Sequence, residues 1–123
     1  MNPPIVQKKE TMQHSTSSRI MVATSSGTYF FNPEEIIRLE ACSNYTYIYL
    51  TNHTKLFAAK VLKAFAAKLE PMGFIRAHRT HLVNQHYITH ICNDGTIMMQ
   101  DSSMAEVSRR KRVDLMRILK NAS

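Results

Sequence analysis

The sequence predicts a mainly β domain with short helices, of the α+β class. Two observations lead to this prediction. Apolar runs of strand length recur between turn signals, and only two longer segments have the spacing of an amphipathic helix. The chain of 123 residues can form one modest core but not two, so we expect a flexible tail over residues 1–18 and a single domain over residues 19–123.

The first half of the domain is predicted to consist of strands. The runs are short, rich in β-branched and aromatic residues, and bounded by turn residues. They are Ile20–Thr24, Thr28–Phe31, Ile37–Ala41, Thr46–Leu50 and Lys55–Ala58. Hairpin turns are expected at Ser26–Gly27 and Thr51–His53, and a short helical turn is expected after Asn32, because Pro33 suits the first helical position.

A central helix is predicted over Ala59–Leu69. Its apolar residues, Val61, Leu62, Phe65 and Leu69, recur at helical spacing. Pro71 and Gly73 follow the helix and end it. Short strands are predicted after it, at Phe74–Ala77, Tyr87–Cys92, Thr96–Gln100 and Ala105–Val107, with a hairpin turn at Asn93–Gly95.

A C-terminal helix is predicted from Arg109 to Asn121, with Ser108 as its N-cap. Its buried stripe is expected to contain Val113, Leu115, Met116 and Leu119. Cations fill positions 109–112, where the helix macrodipole disfavours positive charge by about 0.3 to 1 kcal/mol each. A bound anion reverses this effect, so phosphate is a candidate ligand. A solvated basic helix end is the alternative explanation.

The charge distribution favours a polyanionic partner. The chain has 16 Lys and Arg against 9 Asp and Glu, which gives a net charge of +7. From Ala41 to Asn93 the only acid is Glu70. This asymmetry suits nucleic acid or an acidic membrane, although a basic soluble protein without such a partner explains the charge alone equally well.

The cysteines and the apolar runs indicate a cytoplasmic protein. Cys42 and Cys92 are too few for a disulfide scaffold and lack the spacing of a zinc site, although a bridge between them is not excluded. No apolar run is long enough to span a bilayer, and the N-terminus has no hydrophobic signal core.

Two further polar segments could contact DNA. Arg76–His81 follows a predicted strand and contains no acid, and its arginines could bind guanine edges or phosphates. Ser43–Asn44 lies between two predicted strands. An asparagine there usually serves the turn, but a protruding one could also bind a base edge.

A metal site and a catalytic site are not expected. The histidines that raise the question of a metal are His78, His81, His86 and His90. Their spacing fits no zinc motif, and the sequence places no carboxylate or cysteine pair with them, so no metal or other cofactor is predicted. Glycine-framed nucleophiles and glycine-rich phosphate loops are absent from the sequence, so the chain is predicted not to be an enzyme.

Four segments of the chain occur together in an order and spacing that identify a family. They are Ile37-x-Leu39-Glu40-Ala41-x-x-Asn44-Tyr45-Thr46, then the run Phe74–Asn84, then Tyr87-Ile88-x-x-Ile91, and then Glu106–Arg110. This arrangement closely resembles the LytTR DNA-binding domain. The match extends from about Ile20 to Leu119, and Phe-x-Arg-x-His-Arg-x-x-Leu-Val-Asn is its most diagnostic part.

The resemblance implies small antiparallel β-sheets whose edge loops enter successive major grooves of double-stranded DNA and bend it. Carried over by position, Asn44, Arg79 and Arg109 are the implied base-contacting residues. Weaker candidates for contacts to the DNA backbone are Arg76, His78, Tyr45, Ser108, Arg110 and Lys111.

The resemblance also implies a bacterial transcription regulator that binds promoter repeats. Further candidate partners of the domain are a second copy of the chain on DNA and a sensor kinase or receiver protein. Many family members carry a receiver domain before this one, which residues 1–18 are too short to form. We therefore expect no phosphotransfer within this chain, and a stand-alone regulator is slightly favoured over an excised domain.

The resemblance also implies structural roles. Leu82, Val83 and Ile88 are expected in the core, and Asn84 is expected to form hydrogen bonds to the backbone.

Two alternatives from other classes stay open. The fold could be a protein-interaction module that sequesters a histidine kinase or another regulator, but the three polar base-contacting candidates argue against it, since interfaces favour apolar anchors. Non-specific RNA binding requires exposed aromatics among the cations. Tyr45, Tyr47 and Tyr49 are predicted to share one sheet face, which keeps RNA binding open, although such a face usually serves packing.

Overall fold

The computed structural model of the chain describes residues 19–122, so the tail predicted over residues 1–18 lies outside the described residues. The strands are β1 (Ile20–Thr24), β2 (Gly27–Phe31), β3 (Ile36–Cys42), β4 (Tyr45–Leu50), β5 (Lys55–Ala58), β6 (Phe74–His78), β7 (His81–Asn84), β8 (Ile88–Ile91), β9 (Ile97–Met99) and β10 (Met104–Ala105). The helices are α1 (Leu62–Leu69) and α2 (Arg109–Ala122), and 3-10 turns occupy Pro33–Glu35, Glu70–Met72 and Gln85–Tyr87.

The described strands form three antiparallel sheets. A central sheet has the order β5-β4-β3-β7-β6, and it is accompanied by the β1-β2 hairpin and by a small β10-β9-β8 sheet. Every pairing among these strands is antiparallel. The predicted class, a mainly β fold with small antiparallel sheets, a central helix and a C-terminal helix, is confirmed.

The central sheet lies between two hydrophobic cores. On one side, residues such as Leu39 and Leu82 of the sheet pack with Phe65 of α1, all at most 3% exposed. On the other side, Val83 of the sheet packs with the small sheet and with Leu115 of α2, both at most 1% exposed. Neighbouring residues of a strand point to opposite faces, so Leu82 and Val83 serve one core each. Their predicted burial is confirmed.

The strand β7 was not predicted. It pairs with β3 on one side and with β6 on the other, and every one of its residues is buried. Asn84 at its end donates its amide to the carbonyl of Ile36 at 3.0 Å and accepts the N–H of His86 at 3.1 Å. The prediction that Asn84 bonds to backbone is therefore confirmed, and His81, the last residue of the predicted polar segment, begins this strand.

Both helices differ in detail from the prediction. α1 begins at Leu62 rather than Ala59, because Val61 is extended and 43% exposed at the N-cap position. In α2, Leu115 is buried and Leu119 is partly buried, as predicted. The predicted burial of Val113 and Met116 was wrong, since they are 70% and 42% exposed. Apolar residues lie on more than one side of this helix, and Leu115 and Leu119, which are four residues apart, lie on the side that faces the core.

The remaining differences concern strand ends. The predicted strand Tyr87–Cys92 is shorter, because Gln85–Tyr87 forms a 3-10 turn that Asn84 caps. β10 ends at Ala105, before the predicted Val107. Cys42 and Cys92 are free. Within residues 19–122, no helix has the length and apolar character needed to cross a membrane.

Candidate nucleic-acid interface

Two hairpin turns lie at the same edge of the central sheet. The β3–β4 turn is Ser43–Asn44 and the β6–β7 turn is Arg79–Thr80. Because β7 pairs antiparallel with β3, β7 begins beside the end of β3. The backbone N–H of Ala41, near the end of β3, donates to the carbonyl of Thr80 in the β6–β7 turn at 2.9 Å. Asn44 and Arg79 are thus brought to one edge by strand pairing.

The start of α2 lies at this same edge. The N–H of Ser108 donates to the carbonyl of Ala77, near the end of β6, at 2.9 Å. The Ser108 hydroxyl accepts the N–H of Lys111 at 3.2 Å, so Ser108 caps α2 as predicted. We refer to Ser43–Asn44, Arg79–Thr80 and Ser108–Lys111 together as the loop edge.

A shallow cavity of about 440 Å³ at the loop edge is surrounded by cations. Its lining residues are Arg76, His78, Arg79, Ser108, Arg110 and Lys111. None of them is acidic, and the cap hydroxyl and helix N-terminus lie among them, so the cavity suits a phosphate group. Asn44, Tyr45 and Arg109 are not part of this lining. The structure therefore gathers most of the predicted backbone-contacting residues around one cavity.

Arg76 braces the β6–β7 turn from within the protein. Its Nε donates to the carbonyl of His78 at 3.1 Å, and its Nη2 donates to the carbonyl of Arg79 at 2.8 Å. These two bonds fix the carbonyls of His78 and Arg79 on either side of the start of the turn. Arg76, predicted to contact the DNA backbone, thus has a structural role that the sequence analysis did not foresee.

The β3–β4 turn presents Asn44 to solvent. The turn has only two residues, and Ser43 adopts a positive φ of 59°. A left-handed conformation costs a residue other than glycine about 1 kcal/mol. Asn44 is exposed, and the adjacent Tyr45 is 43% exposed. Both predicted contact residues in this segment are therefore accessible to a ligand.

Thr80 orients two histidines below the β6–β7 turn. Its backbone N–H donates to Nδ1 of His78 at 3.2 Å, so the neutral ring of His78 carries its proton on Nε2. The Thr80 hydroxyl lies 2.8 Å from the same Nδ1 and 3.0 Å from Nδ1 of His81. The hydroxyl can donate to His78 and accept from His81, which leaves Nε2 of His81 without a proton.

Carboxylates accompany these histidines, contrary to the sequence-based expectation. Glu106 lies 3.7 Å from Nε2 of His78, and Glu40 lies 3.9 Å from Nε2 of His81. His78, His81 and Glu106 offer potential metal-ligand atoms within 4.8 Å of one another. A metal on Nε2 of His78 would move the proton to Nδ1, which already faces the Thr80 N–H. In this tautomer the proton on Nε2 of His78 faces Glu106, which disfavours a metal at that atom.

Burial lowers the pKa of His81 below its usual value. The Glu40 carboxylate opposes this effect, whereas the nearby Arg38 guanidinium acts in the same direction as burial. The unfolded chain thus binds a proton at this position more readily than the folded chain. We expect the free energy of unfolding to be highest above about pH 6.5 and to fall as the pH decreases below it. Urea unfolding at about pH 7.5 and pH 5.5 measures this dependence.

The variant His81→Gln is expected to lose that part of the pH dependence. His86→Gln is the matched control, because His86 is exposed. An identical pH dependence in wild type and His81→Gln would contradict the assignment to His81.

Most of the chain matches one protein family. The model described as the LytTr DNA-binding domain matches residues 26–120. The chain belongs to the LytTR family. The resemblance found from four sequence segments is thus confirmed, and the chain is a DNA-binding domain of a transcription regulator whose partner is double-stranded DNA. LytTR domains are a DNA-binding family rather than a family of enzymes.

A solved LytTR structure has the same fold. It is the LytTr DNA-binding domain of a Bacillus cereus protein described as a methyl-accepting/DNA response regulator. The sequences are 24% identical, the match covers 83% of this chain and 95% of that one, and the TM-score is 0.66. No curated protein sequence matches the chain significantly.

Proposed function

We propose that this LytTR domain binds double-stranded DNA sequence-specifically through the loop edge. The observation that carries the proposal is the convergence of three segments distant in sequence. Backbone hydrogen bonds of 2.9 Å connect the end of β3, just before the β3–β4 turn, to the β6–β7 turn, and connect β6 to the start of α2. Asn44, Arg79 and Arg109, one from each segment, are all exposed.

These three residues are the proposed base contacts. Asparagine pairs with adenine, and arginine pairs with guanine, through two hydrogen bonds in the major groove. Because the residues lie on separate segments, each contacts a different position of the DNA motif. The loops enter successive major grooves, and the DNA bends to meet them.

The proposed contacts to the DNA backbone surround the base contacts. They are Arg76, His78, Tyr45, Ser108, Arg110 and Lys111. A phosphate beside Ser108 would bind the N-terminal N–H groups of α2 and offset the repulsion between the macrodipole and the cations of its first turn. DNA binding thus relieves an unfavourable charge arrangement of the free protein.

The proposed bound state has two copies of the domain, residues 19–123, on promoter repeats.

A specific observation supports a second candidate function, that of a module that binds a sensor kinase or a receiver protein. Val113, Met116 and Ile118 on α2 are 70%, 42% and 39% exposed. Apolar residues on an exposed helix are typical anchors of protein contacts.

Selection of bound duplexes from a random pool tests the DNA proposal. We expect enrichment of one defined motif. If about six phosphates are neutralised, the logarithm of the association constant for that motif should fall with the logarithm of salt concentration with a slope of about −5. Fluorescence anisotropy of a labelled duplex at several salt concentrations measures the slope.

A scrambled duplex of the same composition is the control, and it should bind more weakly at every salt concentration. An unenriched pool would contradict sequence-specific binding and favour the interaction module. Strong binding that does not depend on salt would contradict the proposed phosphate contacts.

A further inference from the structure

Within residues 19–122, one face of the central sheet is left uncovered where β4 and β5 lie. The core on that side uses central-sheet residues from β3, β6 and β7, such as Ile37, Ile75 and Val83. Beyond them, Tyr45, Tyr47, Tyr49 and Phe57 form an aromatic face together with Lys55. We propose that this aromatic face is a second binding site, which takes single-stranded nucleic acid by stacking bases on Tyr45 and Phe57.

Two of the exposed rings are stacked, and a third lies tilted beside them. Tyr45 and Phe57 are each 43% exposed, and their ring centroids lie 4.7 Å apart with an angle of 12° between the planes. Phe57 also contacts Tyr47, with centroids 4.8 Å apart and a tilt of 44°. Cross-strand pairing of Tyr47 with Phe57 fixes this arrangement. An incoming base can extend the stack without moving the backbone.

The charges at the aromatic face suit an anion. Lys55 Nζ lies 4.7 Å from the Tyr47 ring centroid and 5.7 Å from that of Tyr49. The acid on this face, Glu40, is held by Arg38 at 3.0 Å, and the Arg38 guanidinium lies 3.9 Å from the Tyr49 centroid. Lys55 is therefore left to neutralise a ligand phosphate.

A single strand fits this face better than a duplex or a protein. Bases within a duplex are already stacked and offer only their edges, whereas a single strand offers base faces together with phosphates. Protein interfaces favour aromatic residues too, but they are depleted of lysine, and here Lys55 sits over the rings. Tyr45 directly follows Asn44, so the aromatic face continues from the loop edge.

The tyrosines provide a direct readout of binding, because the chain has five tyrosines and no tryptophan. We would titrate the full chain with an oligothymidylate and an oligouridylate of about 12 nucleotides, a length within the range that such sites cover. Saturable quenching of tyrosine emission is expected. Phe57→Ala should weaken the affinity about tenfold, Phe57→Leu nearly as much, and Phe57→Tyr should keep the wild-type affinity, because only the last retains a ring.

Phe30→Ala is the matched control. Phe30 is 53% exposed and lies under the Arg19 guanidinium at 5.3 Å, but it belongs to β2 and not to the aromatic face. It should leave oligonucleotide affinity unchanged. Phe57→Ala should still select the same duplex motif, because Asn44, Arg79 and Arg109 are unchanged, so failure of this proposal is distinguishable from failure of the proposed function.

The proposal is overturned if no oligonucleotide quenches the emission, or if Phe57→Ala binds oligonucleotides as wild type does. It is also overturned if Phe30→Ala loses as much affinity as Phe57→Ala. If Phe57→Ala abolishes self-association in sedimentation experiments while oligonucleotide binding is unchanged, the proposal is also overturned, and the aromatic face is assigned to a second copy of the chain.

Discussion

Arg79→Ala and Arg109→Ala are each expected to weaken binding to the selected duplex by about ten- to a hundredfold. The loss corresponds to about 1 to 3 kcal/mol for a two-bonded contact between arginine and guanine. Each substitution should also relax the sequence preference, and it should do so at a different position of the motif, because the two residues lie on separate segments of the loop edge. Repeating the duplex selection with each variant measures both effects.

Arg117→Ala is the matched control on the same helix as Arg109. Arg117 is exposed and pairs with Asp114, beyond the first turn of α2, so its loss should change neither affinity nor motif. The selection can also contradict the base-contact assignment. A variant that binds all sequences more weakly, with a salt slope reduced by about one and an unchanged motif, has lost a phosphate contact instead.

Asn84→Leu is expected to destabilise the fold by about 2 to 4 kcal/mol. Asn84 is 3% exposed, and its amide donates to the carbonyls of Ile36 at 3.0 Å and Pro33 at 3.3 Å. A leucine of similar volume cannot make these bonds, so the buried carbonyl of Ile36 loses a partner. Urea unfolding followed by circular dichroism measures the change.

Asn121→Leu is the control for that experiment, because Asn121 is exposed near the end of α2. It should change stability by less than about 0.5 kcal/mol. A loss of similar size in both variants would show that the buried hydrogen bonds of Asn84 are not the cause.

Local patterns were enough to predict most strands but not β7. Its sequence, His81 to Asn84, begins and ends with polar residues and follows a cationic segment, so it resembles a loop. It is nevertheless an interior strand, because β3 and β6 satisfy its backbone on both sides. Such long-range pairing overrides local composition, and no window of the sequence contains it.

The orientation of α2 could not be predicted for a related reason. Helical spacing alone makes Val113 and Met116 as suitable for burial as Leu115 and Leu119. The choice depends on the start of the helix, which the bond from Ser108 to Ala77 fixes against β6. The sequence contains the apolar residues of the helix, but the tertiary contact decides which of them reach the core.

The candidate site was predictable as separate segments and not as a surface. Charge and capping patterns identified the segments of Asn44, Arg79 and Arg109, and strand register is what brings them to one edge. The approach of Glu106 to His78 had no signal in the sequence, because it depends on how the chain after β10 returns to β6.

The internal bonds of Arg76 have a consequence for the thermodynamics of recognition. Because this guanidinium and the pairing with β3 already hold the β6–β7 turn, the conformational entropy of that segment is lost when the domain folds and not when it meets DNA. Only the Arg79 side chain remains to be immobilised. The β6–β7 turn is therefore preorganised for DNA. The heat-capacity change that accompanies DNA binding by this turn should reflect the burial of surface and no coupled folding.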